Sequence, residues 1–315
     1  MSIKSWNINE KMMCQNDAPF CIKNGADGIT HGIVKSGEIL RRGKKFTLYH
    51  KNVIVTGASG GLGRELTLCL IRDYHCRVLG IGRNEQRLRE TAELLGDAAD
   101  RFRYRVADVT RREDWQALTA EAAADGFDAE VLVNNAGMLP RFSRFGDYTE
   151  EEIAVGIETN LRSVLYGCRA FLPLWEKKQG TAIINIASAD ALCPLVGTSV
   201  YSAGKAAVKA LSEAMREEYR GRVYIPVVCP GFIRTDIMKG QRRAVSPLVN
   251  AASMPADKAA RVILRRVNAR RPRIVLGADA HFMSCAFRIA PVWSLRMFRA
   301  MMKAWRLALF ADIFE

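Results

Sequence analysis

A tyrosine and a lysine one helical turn apart, Tyr201 and Lys205, are residues whose types and spacing could do chemistry. They lie in the small, apolar segment VYSAGKAAVKAL, where a helix would place both on one face. An ammonium nearby favours the phenolate and lowers the pKa of a tyrosine from its reference of about 10. The pair therefore predicts a group that can donate and accept a proton, although an isolated pair would more often be an aromatic and a lysine on a helix surface.

Short apolar strands and helices alternate along the chain around this pair. The strand-like runs are NVIVT, CRVLGIGR, RFRYRVADV, AEVLVNNAG, GTAIINIAS, RVYIPVVCP and RIVLG. Strands that are separated by helical patterns are typical of a parallel sheet covered on both faces. We therefore predict an α/β fold, a Rossmann-type doubly wound parallel sheet of about seven strands, followed by C-terminal amphipathic helices.

A glycine-rich turn, TGASGGLG, follows the first strand and opens the first helix. Gly57, Gly61 and Gly63 would let the backbone turn tightly and approach a diphosphate, which the N–H groups of the helix start can bind. An ordinary turn with glycine caps has the same composition. The position between a β-rich strand and an amphipathic helix favours a nucleotide site.

The order and spacing of these motifs resemble those of the short-chain dehydrogenases/reductases over roughly residues 50–240. The turn has the family's TGxxxGxG form, NNAG ends the fourth strand at Gly137, and PG follows at Pro230–Gly231. Ser188 precedes Tyr201 by thirteen positions, close to the family spacing. A looser resemblance, carried by LGADA and the helices after it, is to hydroxysteroid dehydrogenase-like members.

The resemblance implies a catalytic set and a role for each member. The set is Asn160, Ser188, Tyr201 and Lys205. Tyr201 would exchange a proton with the substrate oxygen while a hydride moves to or from nicotinamide C4, and Ser188 would hydrogen-bond the same oxygen. Lys205 would hold the nicotinamide ribose, and Asn160 would hold a water in a proton relay from Lys205 to solvent.

The resemblance also implies a dinucleotide site along the carboxyl ends of the strands. Its expected residues are Thr56, Gly57, Ser59, Gly61, Leu62, Gly63, Arg83, Asp108, Val109, Asn135, Ala136, Gly137, Tyr201, Lys205, Pro230, Gly231, Ile233 and Thr235. Asp108 would contact the adenine, although Asp108 or Thr110 could equally cap the next helix.

The end of the second strand bears on which nicotinamide cofactor is used. NAD enzymes of this kind carry an acid there that binds the adenosine ribose, whereas this chain has Gly82 and then Arg83. A guanidinium can pair with a 2′-phosphate, so we predict a preference for NADP(H), with NAD(H) as the alternative. Many NADP-preferring relatives also place a basic residue where this chain has Gly60.

The substrate pocket is expected from residues that follow the same motifs. The predicted contacts are Met138, Leu139, Asp190, Leu192 and Phe232, with Ala189, Cys193, Ile233 and Met238 nearby. This mostly apolar lining favours a hydrophobic secondary alcohol or ketone, such as a hydroxysteroid, and suggests a place in lipid metabolism. Asp190 would either select one polar group of the substrate, or merely cap a turn or face water.

Two alternatives to this function stay open at this point. One is a reductase of another lipophilic carbonyl, of the fatty-acyl or quinone type. The other is a nucleotide-binding regulatory protein without turnover. The Ser188, Tyr201 and Lys205 set argues against the second, because a protein that only binds a nucleotide has no need of a tuned phenol.

The two ends of the chain differ from its middle, and we predict three regions. They are a loosely ordered extension over residues 1–45, a catalytic domain over 46–279 and a helical extension over 280–315. Residues 261–315 carry eleven Lys and Arg against three Asp and Glu, and residues 1–50 carry eight against four. Without a recognisable nucleic-acid fold, this charge does not predict nucleic-acid binding.

The last helical segment has cations on one face and apolar side chains on the other. The cations are Arg299, Lys303 and Arg306, and the apolar residues are Met297, Phe298, Met301, Trp305, Ala308 and Leu309. This face could pack on its own core, on a second subunit of a homodimer or homotetramer, or on an anionic membrane surface.

The cysteines bear on metal binding and on the compartment. Eight cysteines without a CxxC pair lack zinc-ligand spacing, so we predict no metal site. With no evident secretory signal and no uninterrupted apolar run long enough to span a bilayer, we expect reduced thiols in a cytoplasmic protein, with peripheral membrane contact as an option.

Overall fold

The computed structural model describes residues 46–124, 126–235, 237, 253–304 and 311–314. The predicted N-terminal extension and Met238 therefore lie outside the described residues. So do Trp305, Arg306, Ala308 and Leu309 of the last helical segment.

A parallel sheet forms the centre of the fold, with helices on both of its faces. The strands are β1 (Asn52–Thr56), β2 (Arg77–Gly82), β3 (Phe102–Val106), β4 (Val131–Asn134), β5 (Thr181–Ile186), β6 (Val223–Tyr224), β7 (Val227–Pro230), β8 (Ile233–Arg234), β9 (Met254–Pro255) and β10 (Arg273–Leu276). The main sheet has the order β10-β7-β5-β4-β1-β2-β3, with β6 beside β5, and all its pairs are parallel; β8 and β9 pair separately. The predicted doubly wound sheet of about seven strands is confirmed.

Within the described ranges, helices lie between most strands of the main sheet and follow its last strand. They are α1 (Gly61–Tyr74), α2 (Glu85–Glu93), α3 (Arg112–Ala124), α4 (Glu150–Ile157), α5 (Ser163–Trp175), α6 (Ser199–Glu218), α7 (Ala256–Asn268), α8 (Ala278–Ile289), α9 (Pro291–Ala304) and α10 (Ala311–Phe314). No helix in these described ranges is long and apolar enough to cross a bilayer.

The strands are apolar throughout because both faces of the sheet are covered. In β1, Val53 and Val55 join the core on one face, while Ile54 joins the core on the other face. Side chains alternate across a strand, so a run without polar residues buries both sets. The order of strands reverses between β1 and β4, and a ligand crevice forms at such a switch point, outside the carboxyl ends of the strands. The glycine turn after β1 lies at this edge.

Two elements are interrupted in the structure. The helical segment between β4 and β5 contains a π-turn at Glu158–Arg162, between α4 and α5. The run RVYIPVVCP forms two short strands rather than one, because Pro226 has no N–H to donate to the ladder. Its carbonyl still accepts a hydrogen bond from the N–H of Asn185 at 3.2 Å, which keeps the chain beside β5.

The C-terminal helices pack, in part, on the chain's own core. Phe298 and Met302 of α9 are buried with Phe142 and Cys193 in a third apolar cluster. The described part of the amphipathic face therefore packs on the chain's own core, which is the first of the three predicted alternatives. Val292 and Trp293, at the start of α9, are exposed.

Candidate active site

Thr56, at the end of β1, joins the glycine turn to the end of β4. Its hydroxyl accepts hydrogen bonds from the N–H groups of Asn135 and Ala136, at 2.9 and 3.0 Å, and donates to the carbonyl of Val133. The Asn135 side chain donates to the carbonyl of Thr56 at 2.9 Å. Thr56 is buried and does not line the cleft that the neighbouring residues form. Thr56 is therefore expected to hold the end of β4 beside the glycine turn, rather than to contact the cofactor.

The glycine turn itself has the shape of a cradle. Gly57 and Gly61 have φ angles of 72° and 51°, in the left-handed region that favours glycine. A Cβ on Gly63 would overlap the carbonyl oxygen of Gly57, so this position has room for hydrogen only. The turn thus leaves the backbone at the start of α1 open to a diphosphate, as the sequence predicts.

A cleft of about 500 Å³ runs along this edge of the sheet and gathers the predicted cofactor residues. Apart from Thr56, every residue predicted to bind the dinucleotide lines it, and so do Ser188, Met138 and Leu139. The cleft therefore brings together the glycine turn, the end of β2 and the Tyr201 region, which is the span that a dinucleotide needs.

Two arginines line the far end of the cleft, and the sequence predicts only one of them. Arg83 follows β2, and Arg87 comes from the first turn of α2, which Asn84 caps through the Arg87 N–H. A Cβ on Gly60 would lie 2.7 Å from a guanidinium nitrogen of Arg87. Arg87 therefore places a cation beside the turn position where Gly60 has no side chain. No local signal in the sequence marks Arg87, because its contact with Gly60 depends on how α2 and the glycine turn fold together.

Asp108 holds a turn before α3 and also lines the cleft, and its contact with the adenine stays a prediction. Its carboxylate accepts hydrogen bonds from the N–H and the hydroxyl of Thr110, at 2.9 and 2.8 Å, so it caps the turn before α3. Burial acts to raise the pKa of Asp108, but the Thr110 hydrogen bonds and the charge of Arg83 outweigh it, and the net pKa is lowered. Asp108 is therefore an anion that also lines the cleft.

The predicted catalytic residues Ser188, Tyr201 and Lys205 meet at the inner end of the cleft. Ser188 follows β5, and Tyr201 and Lys205 come from the first turns of α6. The Lys205 Nζ lies 5.8 Å from the centroid of the Tyr201 ring and donates to the carbonyl of Ile186 at 3.0 Å. Their expected shared face is confirmed.

The pKa of Tyr201 differs from the sequence prediction. Burial raises it above its ordinary value, the charge of Asp190 raises it further, and a hydrogen bond with Ser188 lowers it. Burial also lowers the pKa of Lys205 to about 8. The prediction that Lys205 brings the phenol below its reference pKa is thus wrong for the protein alone, because burial and the charge of Asp190 dominate. The phenol of Tyr201 is therefore protonated at neutral pH.

Asn160 lies in the π-turn, behind the cleft. Its amide nitrogen donates to the carbonyls of Met138 and Gly156, at 2.8 and 3.0 Å, and its oxygen accepts from the Met138 N–H at 3.1 Å. The side chain therefore anchors the segment that carries Gly137 and Met138. The water-holding role stays a prediction. π-turns often occur at functional sites, but no local feature of the sequence predicts this one.

The predicted substrate residues do not form one pocket. Met138 and Leu139 line the cleft, whereas Asp190 and Leu192 line a second cavity of about 710 Å³ against α6, α8 and α9. Neither cavity is lined by Phe232, whose N–H donates to Asp279 at 2.7 Å. Asp190 is buried, so the expectation that it faces water is wrong.

The fold and the cleft together define a dinucleotide-binding oxidoreductase. The family model for short chain dehydrogenase matches residues 51–246. The chain therefore belongs to the short-chain dehydrogenases, and it is an NAD(P)-dependent enzyme of that family.

Three relatives show the range of the family around this chain. An uncharacterized oxidoreductase of Staphylococcus saprophyticus is 31% identical over 69% of the chain and 90% of its own length. A ketoacyl reductase of Nostoc is 32% identical over 69% of the chain and 75% of its length. The 11-beta-hydroxysteroid dehydrogenase 1A of Arabidopsis thaliana is 32% identical over 62% of the chain, which spans only 55% of that relative.

Among solved structures, a short-chain dehydrogenase of Sphingobium yanoikuyae in complex with NADPH is 27% identical. Its TM-score is 0.66, and the match covers 77% of this chain and 94% of that one.

Proposed function

We propose that this chain is an NADP(H)-dependent oxidoreductase that interconverts a secondary alcohol and a ketone on an apolar substrate. One observation carries the proposal: Ser188, Tyr201 and Lys205 line the same cleft as the glycine turn and Arg83. A nucleotide-binding regulatory protein would need the turn and the arginine but not the three proton-transfer residues.

The residues of the cleft fit a dinucleotide along its length. The glycine turn would hold the diphosphate, and Arg83 with Arg87 would hold a 2′-phosphate. Lys205 would hold the nicotinamide ribose. Bound there, the nicotinamide supplies or accepts the hydride at its C4.

The chain's own groups handle the proton. Ser188 would donate a hydrogen bond to the carbonyl oxygen and so polarise it. Tyr201 would deliver its phenolic proton to the same oxygen as the hydride reaches the carbon, and a proton entering from solvent would restore the phenol. The raised pKa of Tyr201 suits this direction, because the group is protonated before reaction.

The substrate is proposed more finely as a hydroxysteroid-like ketone, supported by the apolar side chains of Met138 and Leu139 in the cleft and by the similarity to the plant hydroxysteroid dehydrogenase. The similarity to a ketoacyl reductase favours a second candidate, a fatty-acyl ketone. A cytoplasmic homodimer or homotetramer that touches a membrane surface through its C-terminal helices also stays a proposal.

The test is the absorbance of NADPH with the purified full chain and a panel of steroid ketones, acyl ketones and quinones. We expect at least one apolar ketone to be reduced with NADPH. The same ketone should be reduced more slowly with NADH. The Tyr201→Phe variant is the matched control, since it keeps the ring. NADPH consumption that is equal in wild type and this variant, or absent with every ketone, would refute the proposal.

A further inference from the structure

Asp190 is a buried carboxylate close to the reacting groups. It lies in the short turn Ala189–Ala191, two residues after Ser188, and its exposed fraction is 8%. No lysine or arginine in the described parts of the chain forms an ion pair with it. A buried charge without such a partner lowers the stability of the fold. The hydrogen bonds of the carboxylate therefore bear on its role in function.

The hydrogen bonds of Asp190 join two elements that carry catalytic side chains. Its Oδ2 accepts from the hydroxyls of Thr198, at 2.8 Å, and Ser202, at 3.2 Å. These two hydroxyls are 3.0 Å apart. On the other side, the Asp190 N–H donates to the Ser188 Oγ at 3.2 Å. Thr198 immediately precedes α6, and Ser202 is the neighbour of Tyr201.

The contacts therefore form a short chain of bonds from Ser188 to the first turn of α6. An apolar side chain of similar size could fill the space between them, but it could not bind two hydroxyls at once. The carboxylate has the acceptor capacity to do so. What it fixes is the position of the Ser188 loop relative to the helix that presents Tyr201.

We propose that Asp190 is a positioning residue for the reaction, one that ties the Ser188 loop to the start of α6 so that the two hydroxyls of Ser188 and Tyr201 meet the same substrate oxygen. The proposal rests on the function proposed above. Asp190 lines the second cavity and not the cleft, so it acts through its neighbours rather than on the substrate.

The charge of Asp190 also reaches Tyr201. Burial raises the pKa of Asp190 to about 6, and its hydrogen bonds with Thr198 and Ser202 act in the opposite direction, so the carboxylate is ionised above that pH. Its charge raises the pKa of Tyr201 and so favours the protonated phenol that donates to a ketone.

The elements that pack on the Asp190 turn or line its cavity carry other titratable and charged groups. Among them are Tyr201 and Lys205 on α6, Cys193 after the turn, Cys229 on β7, Asp279 on α8, and Arg296 and Arg299 on α9. Lys205 and Asp279 are engaged elsewhere, with the carbonyl of Ile186 and the N–H of Phe232. Arg296 and Arg299 line the cavity that Asp190 lines, so their charges are part of the field that its removal would change.

The experiment compares variants of the bonds with a matched variant elsewhere. Thr198→Val removes the hydroxyl that donates a hydrogen bond to Asp190, and Thr198→Ser keeps it. Asp190→Asn removes the charge but keeps an acceptor oxygen. Thr181→Val makes the same change at a buried threonine at the opposite end of β5. Its hydroxyl donates to the backbone carbonyl of Lys178. The readouts are kcat and KM for the ketone, and the pH dependence of kcat.

We expect Thr198→Val to lower kcat about tenfold or more, with Thr198→Ser close to wild type and Thr181→Val unchanged. In Asp190→Asn, the limb of the pH profile that reports Tyr201 should move to lower pH, since the negative charge that holds the phenol protonated is gone. A merely structural role would not move this limb. Equal losses of kcat in Thr198→Val and Thr181→Val, or an unmoved limb in a folded Asp190→Asn protein, would overturn the proposal.

A second measurement separates this inference from the proposed function. The phenolate absorbance of Tyr201 can be followed against pH without turnover, as the difference between each protein and its Tyr201→Phe counterpart. If no ketone is reduced, the proposed function fails. A lower titration pH of Tyr201 in Asp190→Asn would still support the electrostatic coupling, whereas an unchanged one would refute it.

Discussion

The Nζ of Lys205 lies 5.8 Å from the centroid of the Tyr201 ring while its hydrogen bond goes to the Ile186 carbonyl. The ammonium is thus held between the phenol and the carboxyl end of β5, at the inner end of the cleft. Because the ammonium is buried, the pKa of Lys205 is lowered. Lys205 also shares a face of α6 with Tyr201.

The buried Lys205 should make the cofactor-free protein less stable than it could be. Burial lowers its pKa from about 10.5 to about 8. Between these values the unfolded chain binds more protons than the folded chain, so the free energy of unfolding rises with pH across that window. We expect Lys205→Met to raise the free energy of unfolding by about 1–3 kcal/mol near neutral pH. The gain should shrink as the pH rises from about 8 towards 10.5.

Urea unfolding of both proteins over this pH range measures the effect. A Lys205→Met protein that is less stable than wild type at every pH would show that the hydrogen bond to Ile186 outweighs the cost of the buried charge.

The glycine turn predicts a sharp difference between two glycine-to-alanine changes. In Gly63→Ala, the new Cβ would overlap the Gly57 carbonyl oxygen and crowd Asn135, so the turn must shift. We expect a loss of about 1–3 kcal/mol in unfolding free energy and at least about tenfold weaker NADPH binding.

Gly146→Ala is the matched control, because nothing lies within 4 Å of its Cβ position. It should change the unfolding free energy by less than about 0.5 kcal/mol. Calorimetric titration with NADPH and urea unfolding provide the two readouts. Equal effects of the two substitutions would contradict the cradle described for the turn.

Arg87 predicts a specificity effect and a way to restore it. Arg87→Ala removes the guanidinium beside Gly60, and we expect the dissociation constant for NADPH to rise about tenfold while that for NADH changes little. Adding Gly60→Arg to this variant should recover much of the NADPH affinity, because Gly60 has extended backbone angles that any residue adopts.

Fluorescence titration with both cofactors, without substrate, gives the constants. Arg83→Ala serves as the comparison, since Arg83 lines the same end of the cleft. Equal weakening of NADPH and NADH by Arg87→Ala would show that this side chain supports the fold of the site and does not discriminate between the cofactors.

The sequence predicted the sheet and its strands, because apolar runs and helical spacing are local signals, while the resemblance to a known family supplied most of the residues of the cleft. It could not show Arg87, because the approach of α2 to Gly60 depends on how two loops fold together. The π-turn at Asn160 has no local signal either.

Burial explains the errors that matter for the chemistry. The pKa of Tyr201 was predicted to fall because Lys205 is near in sequence, but desolvation depends on the whole surrounding structure. Asp190 was placed in one pocket with Met138, and the structure puts it in a separate cavity, bonded to Thr198 and Ser202. The effect of each charge thus depends on burial in the folded protein, which the local sequence does not show.

The central claim is that Tyr201 transfers the proton, and the most direct test is kcat of Tyr201→Phe with NADPH and a ketone that the wild type reduces. We predict a fall of about 10²–10⁴-fold. The dissociation constant for NADPH should stay within about threefold, because the ring and Lys205 remain. A kcat close to that of the wild type, with NADPH bound normally, would contradict the account.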